Sequence, residues 1–264
     1  MARVITLLTD FGIASTYPAQ MKGVILERCP EAVVVDLSHE VPRHDVRTAA
    51  FMLASAVGAF PRGTVHAAVV DPQVGSARRV LVAERDGQTF LAPDNGLLSV
   101  VLGDETSPAQ IISVENRSYF RTEVSSTFHG RDIFAPVAAA LASGVTPGDL
   151  GPAVESIQRL SIPASQRDGS AVRGEVLYVD PFGNLVTNVA AAEFARVDPA
   201  GVTVLVLGAV IPGLSRAYSD VPAGALLAYI GSAGFLEVAV NRQSAASRLG
   251  ARVGTPVRVR LEAS

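Results

Sequence analysis

The chain reads as α/β, with a three-layer domain over residues 1–160 and a small all-β domain, barrel or sandwich, over residues 171–264. Three observations carry that expectation. Short apolar runs alternate with helix-length segments in the first part, the pattern of buried parallel strands joined by crossover helices. Residues 150–170 are rich in turn formers, with Gly151-Pro152, Pro163 and Asp168-Gly169, the composition of a linker. Beyond it, β-branched runs are separated by glycine and proline with little room for helices.

Taken in order, residues 4–8 form an almost unbroken apolar strand that ends in Thr9-Asp10-Phe11-Gly12. Residues 17–28 carry Met21, Val24 and Ile25 at helical spacing, and Pro30 stops the helix. Residues 33–37 are a second buried strand ending at Asp36, Ser38 and His39. Asp45 is the N-cap of a helix whose face is Val46, Ala50, Leu53 and Val57, closed by Pro61 and Gly63. Residues 65–70 are a third strand that delivers Asp71. Residues 80–84 and 89–92 form a hairpin around Asp86-Gly87, and Pro93-Asp94-Asn95-Gly96 starts a short helix through Leu102. A strand at 111–114 and an alanine-rich helix at 133–143 complete the first domain. In the second, strands are expected at 172–179, 202–207, 226–230, 235–240 and 257–261.

Composition excludes several function classes. A length of 264 residues is near the upper limit for one core, which favours two domains. With 48% hydrophobic and 18% charged residues and a net charge of −3, no basic footprint for nucleic acid is present. A single cysteine, Cys29, forms no internal disulfide and fits a reducing, cytoplasmic setting. The N-terminus turns polar too soon for a signal peptide, and no apolar run approaches the roughly 20 residues that span a bilayer.

Candidate chemistry clusters at strand ends. Val69-Val70-Asp71-Pro72-Gln73-Val74-Gly75-Ser76-Ala77-Arg78-Arg79 ends a strand at a proline, which has no donor for the next ladder bond. It then sets a carboxylate and two guanidiniums on one turn-rich loop. Read alone, it is a surface turn closed by an Asp71–Arg78 pair sooner than a site, and the rest of the chain has to reverse that reading. Asp10, at the tip of the first strand and two residues before Gly12, suits vicinal hydroxyls such as a ribose diol. Neither a Gly-x-Gly-x-x-Gly fingerprint nor a Gly-x-x-x-x-Gly-Lys loop follows, which argues against a phosphate-bearing nucleotide.

Asp10, Asp36, His39, Asp71 and His129 together have a metallohydrolase's composition. No His-x-x-x-His or His-x-Glu pair supports a metal, and Asp36 and His39 read as turn caps. His129-Gly130-Arg131-Asp132 sets a histidine at a helix start, or else an ordinary start with Asp132 as N-cap and His129 exposed. Asp180-Pro181-Phe182-Gly183-Asn184 offers stacking, an amide and a carboxylate in one turn. The loops holding Ser232 and Asn241-Arg242 add donors.

Taken together, Thr9-Asp10-Phe11-Gly12, Gln20-Met21-Lys22-Gly23, Asp71-Pro72 with Gly75 and Arg78, Ala92-Pro93-Asp94-Asn95-Gly96, Phe128-His129-Gly130-Arg131-Asp132 and Asp180-Pro181-Phe182-Gly183-Asn184 resemble the S-adenosyl-L-methionine hydrolases. These are also called SAM hydroxide adenosyltransferases and are relatives of the fluorinases and chlorinases. The resemblance runs in order over nearly the whole chain. It implies a Rossmann-like first domain, a C-terminal β-barrel, and a homotrimer with active sites between one subunit's first domain and a neighbour's second. It implies hydrolysis of S-adenosyl-L-methionine to adenosine and L-methionine by water attacking C5′, with no cofactor and no metal.

Carried over residue by residue, Asp71, Arg78 and His129 match the catalytic set around the water. Asp10 would hold the ribose hydroxyls, Asp180 the methionine ammonium, Ser232 its carboxylate, and Asn184 the adenine edge with the Arg242 backbone alongside. Phe182 would pack on the adenosine, and Phe11, Tyr17, Asn95 and Asn241 join the substrate-binding positions. Two positions depart from the family: Ser15 stands where an acidic residue is usual, and Gln73 where glycine is common. A sulfonium already activates C5′, so the protein need supply only orientation and charge. An ionised Asp71 would repel a halide, which favours water over a halide-using synthase. Intact Asp71, Arg78 and His129 argue against a non-catalytic SAM or adenosine sensor.

Overall fold

A computed structural model of the chain describes residues 3–103 and 110–262. It divides into two compact units, Met1–Leu160 and Ser161–Ser264. In the first, β1 (Arg3–Thr9), β2 (Ala32–Ser38), β3 (Val65–Val69), β4 (Val80–Arg85), β5 (Gln88–Pro93) and β6 (Gln110–Ser113) form one sheet in the order β2-β1-β3-β5-β4-β6. β1 runs parallel to β2 and β3, and β3 to β5, while β4 is antiparallel to both β5 and β6.

Its helices are α1 (Tyr17–Arg28), α2 (Val46–Val57), α3 (Ser99–Leu102), α4 (Ala135–Ala142) and α5 (Pro147–Leu150). Because successive strand side chains alternate faces, Ile5 and Leu7 pack with Met21 and Ile25 of α1 and Val137 of α4. Leu8 turns to the opposite face and meets Leu53 of α2 and Leu102 of α3. Two cores on either side of one sheet make the three layers. The chain leaves β1 for β2 on one side and returns to β3 on the other. The carboxyl ends of β1 and β3 are therefore neighbours at the point where strand order reverses, where open α/β sheets form a crevice.

Several local expectations need correction. β2 is not covered on both faces: it is the sheet edge, with Val33 49% exposed. An apolar run marks a strand but not its place in the sheet. Pro93 is the last residue of β5, and the helical turn begins only at Ser99, because Asp94 is buried and engaged by Arg79 and by the Gln158 amide. The alanine-rich helix is preceded by a π-helical turn, Gly130–Phe134. The first half of the expected linker is stitched to the first unit: Val154 N donates to Ile111 O of β6, and Leu160 N to Ser99 Oγ of α3. The β4–β5 turn is the two-residue hairpin of the expected kind, with Asp86 at φ 52° and Gly87 at φ 78°.

The second unit contains β7 (Gln166–Asp168), β8 (Ala171–Val179), β9 (Leu185–Ala190), β10 (Val202–Val206), β11 (Ala209–Pro212), β12 (Leu226–Ile230), β13 (Phe235–Val240) and β14 (Pro256–Leu261). The order is β11-β10-β14-β8-β9-β13-β12, with β7 on β8, and neighbours are antiparallel. Ser215, just after β11, donates its amide to Ala228 O in β12 at 2.8 Å, so the two ends of the path meet in a nearly closed barrel. Val172, Leu185, Val204, Leu236 and Val259 fill it. β7, β9, β11 and the helix α6 (Ala245–Leu249) are absent from the sequence expectation.

His66 in β3 is fully buried, stacked 5.1 Å from Phe90 and 2.8 Å through Nδ1 from Thr6 Oγ1. Burial lowers its pKa from 6.5 to about 4. Its contribution to stability is therefore complete above pH 6.5 and is lost as pH falls from 6.5 toward 4, where the unfolded chain takes the proton first. At about 1.4 kcal/mol per unit this approaches ~3 kcal/mol at pH 4. Urea midpoints at pH 7, 5 and 4 are expected to fall less steeply in His66→Gln than in the wild type. Equal slopes would remove His66 from the acid response.

Candidate active site

The loops after β1, β2 and β3 meet the Phe128–His129 segment around a cavity of about 280 Å³ lined by Asp10, Phe11, Tyr17, His44, Asp71, Phe128 and His129, among others. The Asp10 carboxylate is 9% exposed, and its Oδ2 accepts from the His44 amide at 2.9 Å. His44 sits at φ 64°, a left-handed conformation that costs of order 1 kcal/mol and aims its N–H at the carboxylate. Asp10 Oδ1 takes no bond from the described residues.

Behind Asp10, Thr9 Oγ1 lies 2.9 Å from His39 Nδ1 and accepts from Phe11 N. His39 Nε2 lies 2.9 Å from Asp36 Oδ1, without the alignment of a hydrogen bond, and Lys22 bonds Asp36 from outside. Asp36 and His39 are thus supports of the loop. Ser15 Oγ donates to Phe11 O and Gly12 O, so this hydroxyl is turned to the loop backbone. Phe11, Tyr17 and Phe128 pack edge to face, which holds the aromatic wall in place. Among the described residues no group of three His, Cys, Asp or Glu side chains could hold a metal ion.

The Asp71 loop folds back on itself. Val74 N donates to Asp71 O and Ser76 N to Gln73 O, and Gly75 takes φ 83° with Ser126 O only 2.5 Å from where a Cβ would stand. No other residue fits there without moving the backbone. The turn returns Arg78 to Asp71: Nε donates to Oδ2 at 2.8 Å, with the side chains only 3% and 5% exposed. Arg78 Nη2 also reaches His129 Nδ1 at 2.8 Å, and the guanidinium packs over the Phe134 ring.

A guanidinium has only donors, so His129 Nδ1 accepts and the ring proton sits on Nε2. Burial first and then Arg78 lower the His129 pKa, against Asp71 and Asp132, and keep the ring neutral. Asp71 Oδ1 is buried and has no hydrogen-bond partner among the described residues. An ion-paired carboxylate of a cavity-lining residue thus keeps one acceptor without a protein donor. Asp132 is not an N-cap: it is fully buried and accepts from Arg131 and from the Ser125 amide.

Asn95 does not line this cavity. Its amide donates to Val70 O at 2.9 Å and holds the strand end just before Asp71.

The second unit has its own cavity, about 410 Å³, lined by Phe182, Asn184, Tyr218, Val240, Arg242, Gln243 and Ser244. Asp180 Oδ1 accepts from the amides of Phe182 and Asn184, and Oδ2 from Asn184 Nδ2 at 2.7 Å. Gly183, at φ 82°, passes against Ser244, whose Oγ would lie 2.1 Å from a Cβ. The turn pushes Phe182 outward, 80% exposed. Asn241 Nδ2 bonds Val221 O, and Arg242 stands at φ 64° at the rim. Ser232 is exposed on the β12–β13 turn, away from the lining. Tyr218 and Thr127 are lining residues that sequence reasoning missed. Each sits in an irregular polar stretch where no periodicity marks it.

Comparison with known proteins supplies the family. The model described as SAM hydroxide adenosyltransferase N-terminal domain matches residues 5–151, and that of the C-terminal domain matches residues 174–258. An (R)-S-adenosyl-L-methionine hydrolase of Thermus thermophilus is 41% identical, covering 97% of this chain and 99% of that protein. One of Salinispora tropica is 40% identical over 97% of each. A fluorinase of Actinoplanes is 28% identical over 97% of each. The crystal structure of an uncharacterized conserved protein from Thermotoga maritima superposes with a TM-score of 0.90 at 38% identity, over 97% of this chain and 99% of that one.

Proposed function

This chain belongs to the SAM hydroxide adenosyltransferase family, and from that premise we propose how its residues perform the reaction. It is an S-adenosyl-L-methionine hydrolase that releases adenosine and L-methionine. A water attacks C5′ in line with the C5′–S bond. The bonding pair leaves with sulfur, which becomes the neutral thioether of methionine, and the water keeps one proton as the 5′-hydroxyl.

The other proton goes to Asp71. The single observation that carries this assignment is Asp71 Oδ1, buried and without a partner among the described residues, on a carboxylate that Arg78 holds through Oδ2. His129 has no free lone pair while Nδ1 accepts from Arg78, so its role is to orient the water from Nε2–H and to fix the guanidinium. Arg78 holds the carboxylate in place through Oδ2.

Asp10 Oδ1 takes the ribose hydroxyls, with Phe11 and Tyr17 against the sugar. In the second unit Asn184 meets the adenine edge, with Phe182 and the Arg242 backbone alongside. Asp180, Ser232 and Asn241 belong to the methionine end and its loops, and Asn95 acts by holding the Asp71 strand end. The substrate is the (R)-sulfonium epimer, as the relatives' names state for those proteins. The assembly is a cytoplasmic homotrimer with each site shared between neighbouring subunits. The exposed apolar side chains Ile13, Val33 and Phe182 support burial against another copy.

The test is direct. Pure protein is incubated with each epimer of S-adenosyl-L-methionine in ¹⁸O-water, with and without chloride, and the nucleoside is identified by mass. Adenosine labelled at the 5′-oxygen, formed faster from the (R) epimer, is expected. A 5′-chloronucleoside or no turnover would overturn the assignment, and equal rates would remove the epimer preference.

A further inference from the structure

The second unit holds a hydrogen-bonded chain that the water-handling group does not use. Asn184 Nδ2 donates to Asp180 Oδ2 at 2.7 Å and to Tyr218 Oη at 2.9 Å. The Tyr218 and Tyr229 hydroxyls lie 2.8 Å apart, and Tyr229 donates to Glu237 Oε2 at 2.5 Å. Asn184 is 2% exposed and Glu237 9%. Glu237 fits there because Gly231 faces it, where a Cβ would stand 1.8 Å from Oε1.

Asp180 Oδ2 and Glu237 Oε2 each receive a hydrogen bond, so both ends of this chain are acceptors. The protons between then have one arrangement. Both amide protons of Asn184 are engaged, Tyr218 gives its proton to Tyr229, and Tyr229 gives its own to Glu237. Burial and the bond to Glu237 raise the Tyr229 pKa and keep the phenol the donor. Asn184 and Tyr218 both line the 410 Å³ cavity. What they offer it is Asn184 Oδ1 and a Tyr218 lone pair, with no free proton from either.

We propose that Glu237 is a positioning residue that, through Tyr229 and Tyr218, keeps this wall acceptor-only and so selects a 6-aminopurine over a 6-oxopurine. The proposal rests on the reading of this cavity as the base site. A 6-amino group brings N–H donors to the wall. A 6-oxo group at this wall sets its lone pairs against Asn184 Oδ1 and finds no donor on the Asn184 or Tyr218 side chain, and such mismatched polar groups discriminate strongly.

The experiment compares kcat and KM of the full-length protein on S-adenosyl-L-methionine and on its 6-oxo analogue, S-inosyl-L-methionine. The wild type is expected to favour the 6-amino substrate by about 100-fold or more in kcat/KM. In Glu237→Gln the new amide donates to Tyr229, which turns its proton to Tyr218 and lets Tyr218 point its own into the cavity. Tyr229→Phe frees the Tyr218 proton more simply. Each variant is expected to shrink the preference by about tenfold or more, chiefly through KM for the 6-oxo substrate. A Glu237 that merely supported the fold would weaken both substrates alike, and an unchanged ratio overturns the proposal. Should Glu237→Gln fail to fold by circular dichroism, Tyr229→Phe decides alone. Asn184→Ala separates the two readings. If it raises KM while Glu237→Gln leaves the ratio unmoved, the base site stands and the relay falls. If it leaves KM unchanged, both fall.

Discussion

Asp71→Asn is expected to lower kcat by about 1,000-fold while the affinity for adenosine stays within about threefold. The two side chains are isosteric, so the loop that Gly75 and Ser126 hold in place has no reason to move. The amide must still give Arg78 an acceptor, which fixes its oxygen at the Oδ2 position and its nitrogen at the Oδ1 position. The atom that faced the water as an acceptor then becomes a donor. A water bound there turns a lone pair toward the amide and away from C5′, and nothing takes its proton. Steady-state turnover followed by chromatography of adenosine measures the first number, and calorimetric titration with adenosine the second. Turnover within tenfold of the wild type would take Asp71 out of the chemistry.

Much of the scaffold was legible because its signals are local. Residues 17–28 were delimited by Met21, Val24 and Ile25 on one side and Pro30 at the end, and α1 spans Tyr17–Arg28. Asp45 caps α2 by accepting from Thr48 N, a bond within one turn. β9 escaped notice for the opposite reason. Thr187 and Asn188 look like surface residues, yet both are buried: Thr187 Oγ1 donates to Leu236 O, and Asn188 bonds Glu175 N and Pro163 O. Their polar atoms are satisfied by backbone groups far along the chain, which no window of sequence contains.

The candidate site divides along the same line. A carboxylate at the end of an apolar run is visible in sequence, and both Asp10 and Asp71 were found that way. That their strands are neighbours follows only from the sheet order, since an apolar run carries no record of its partner. Arg78 and His129 touch across 51 positions, and the resemblance to a family, not periodicity, brought them together beforehand. Of the Tyr218–Tyr229–Glu237 chain, the expected strands 226–230 and 235–240 held two members, but nothing in sequence tied Tyr218 to them. Tyr229 and Glu237 face each other across the β12–β13 hairpin, and Tyr218 reaches them from the turn after β11.

Arg78→Met should act on turnover, stability and pH response at once, and the three can be separated. Methionine keeps the contact with Phe134 but removes every donor from Asp71 and His129. A carboxylate only 5% exposed is left without its cation, at a cost of about 3–5 kcal/mol. kcat is expected to fall by about 100-fold or more, because Asp71 Oδ2 is no longer held and the water loses its fixed acceptor.

The His129 pKa, lowered in the wild type by burial and by Arg78, should rise once Arg78 is gone and Asp71 remains. The signs then differ between the two proteins. In the wild type a depressed histidine favours the fold at high pH and loses that contribution as pH falls below 6.5. In the variant a raised histidine favours the fold at low pH, as an ion pair with Asp71, and loses its contribution as pH rises. The gap between the two melting temperatures should therefore be widest near pH 8 and narrow toward pH 6. A gap that stays constant across that range would mean His129 and Asp71 do not sense each other through Arg78, and the three side chains would not act as one group.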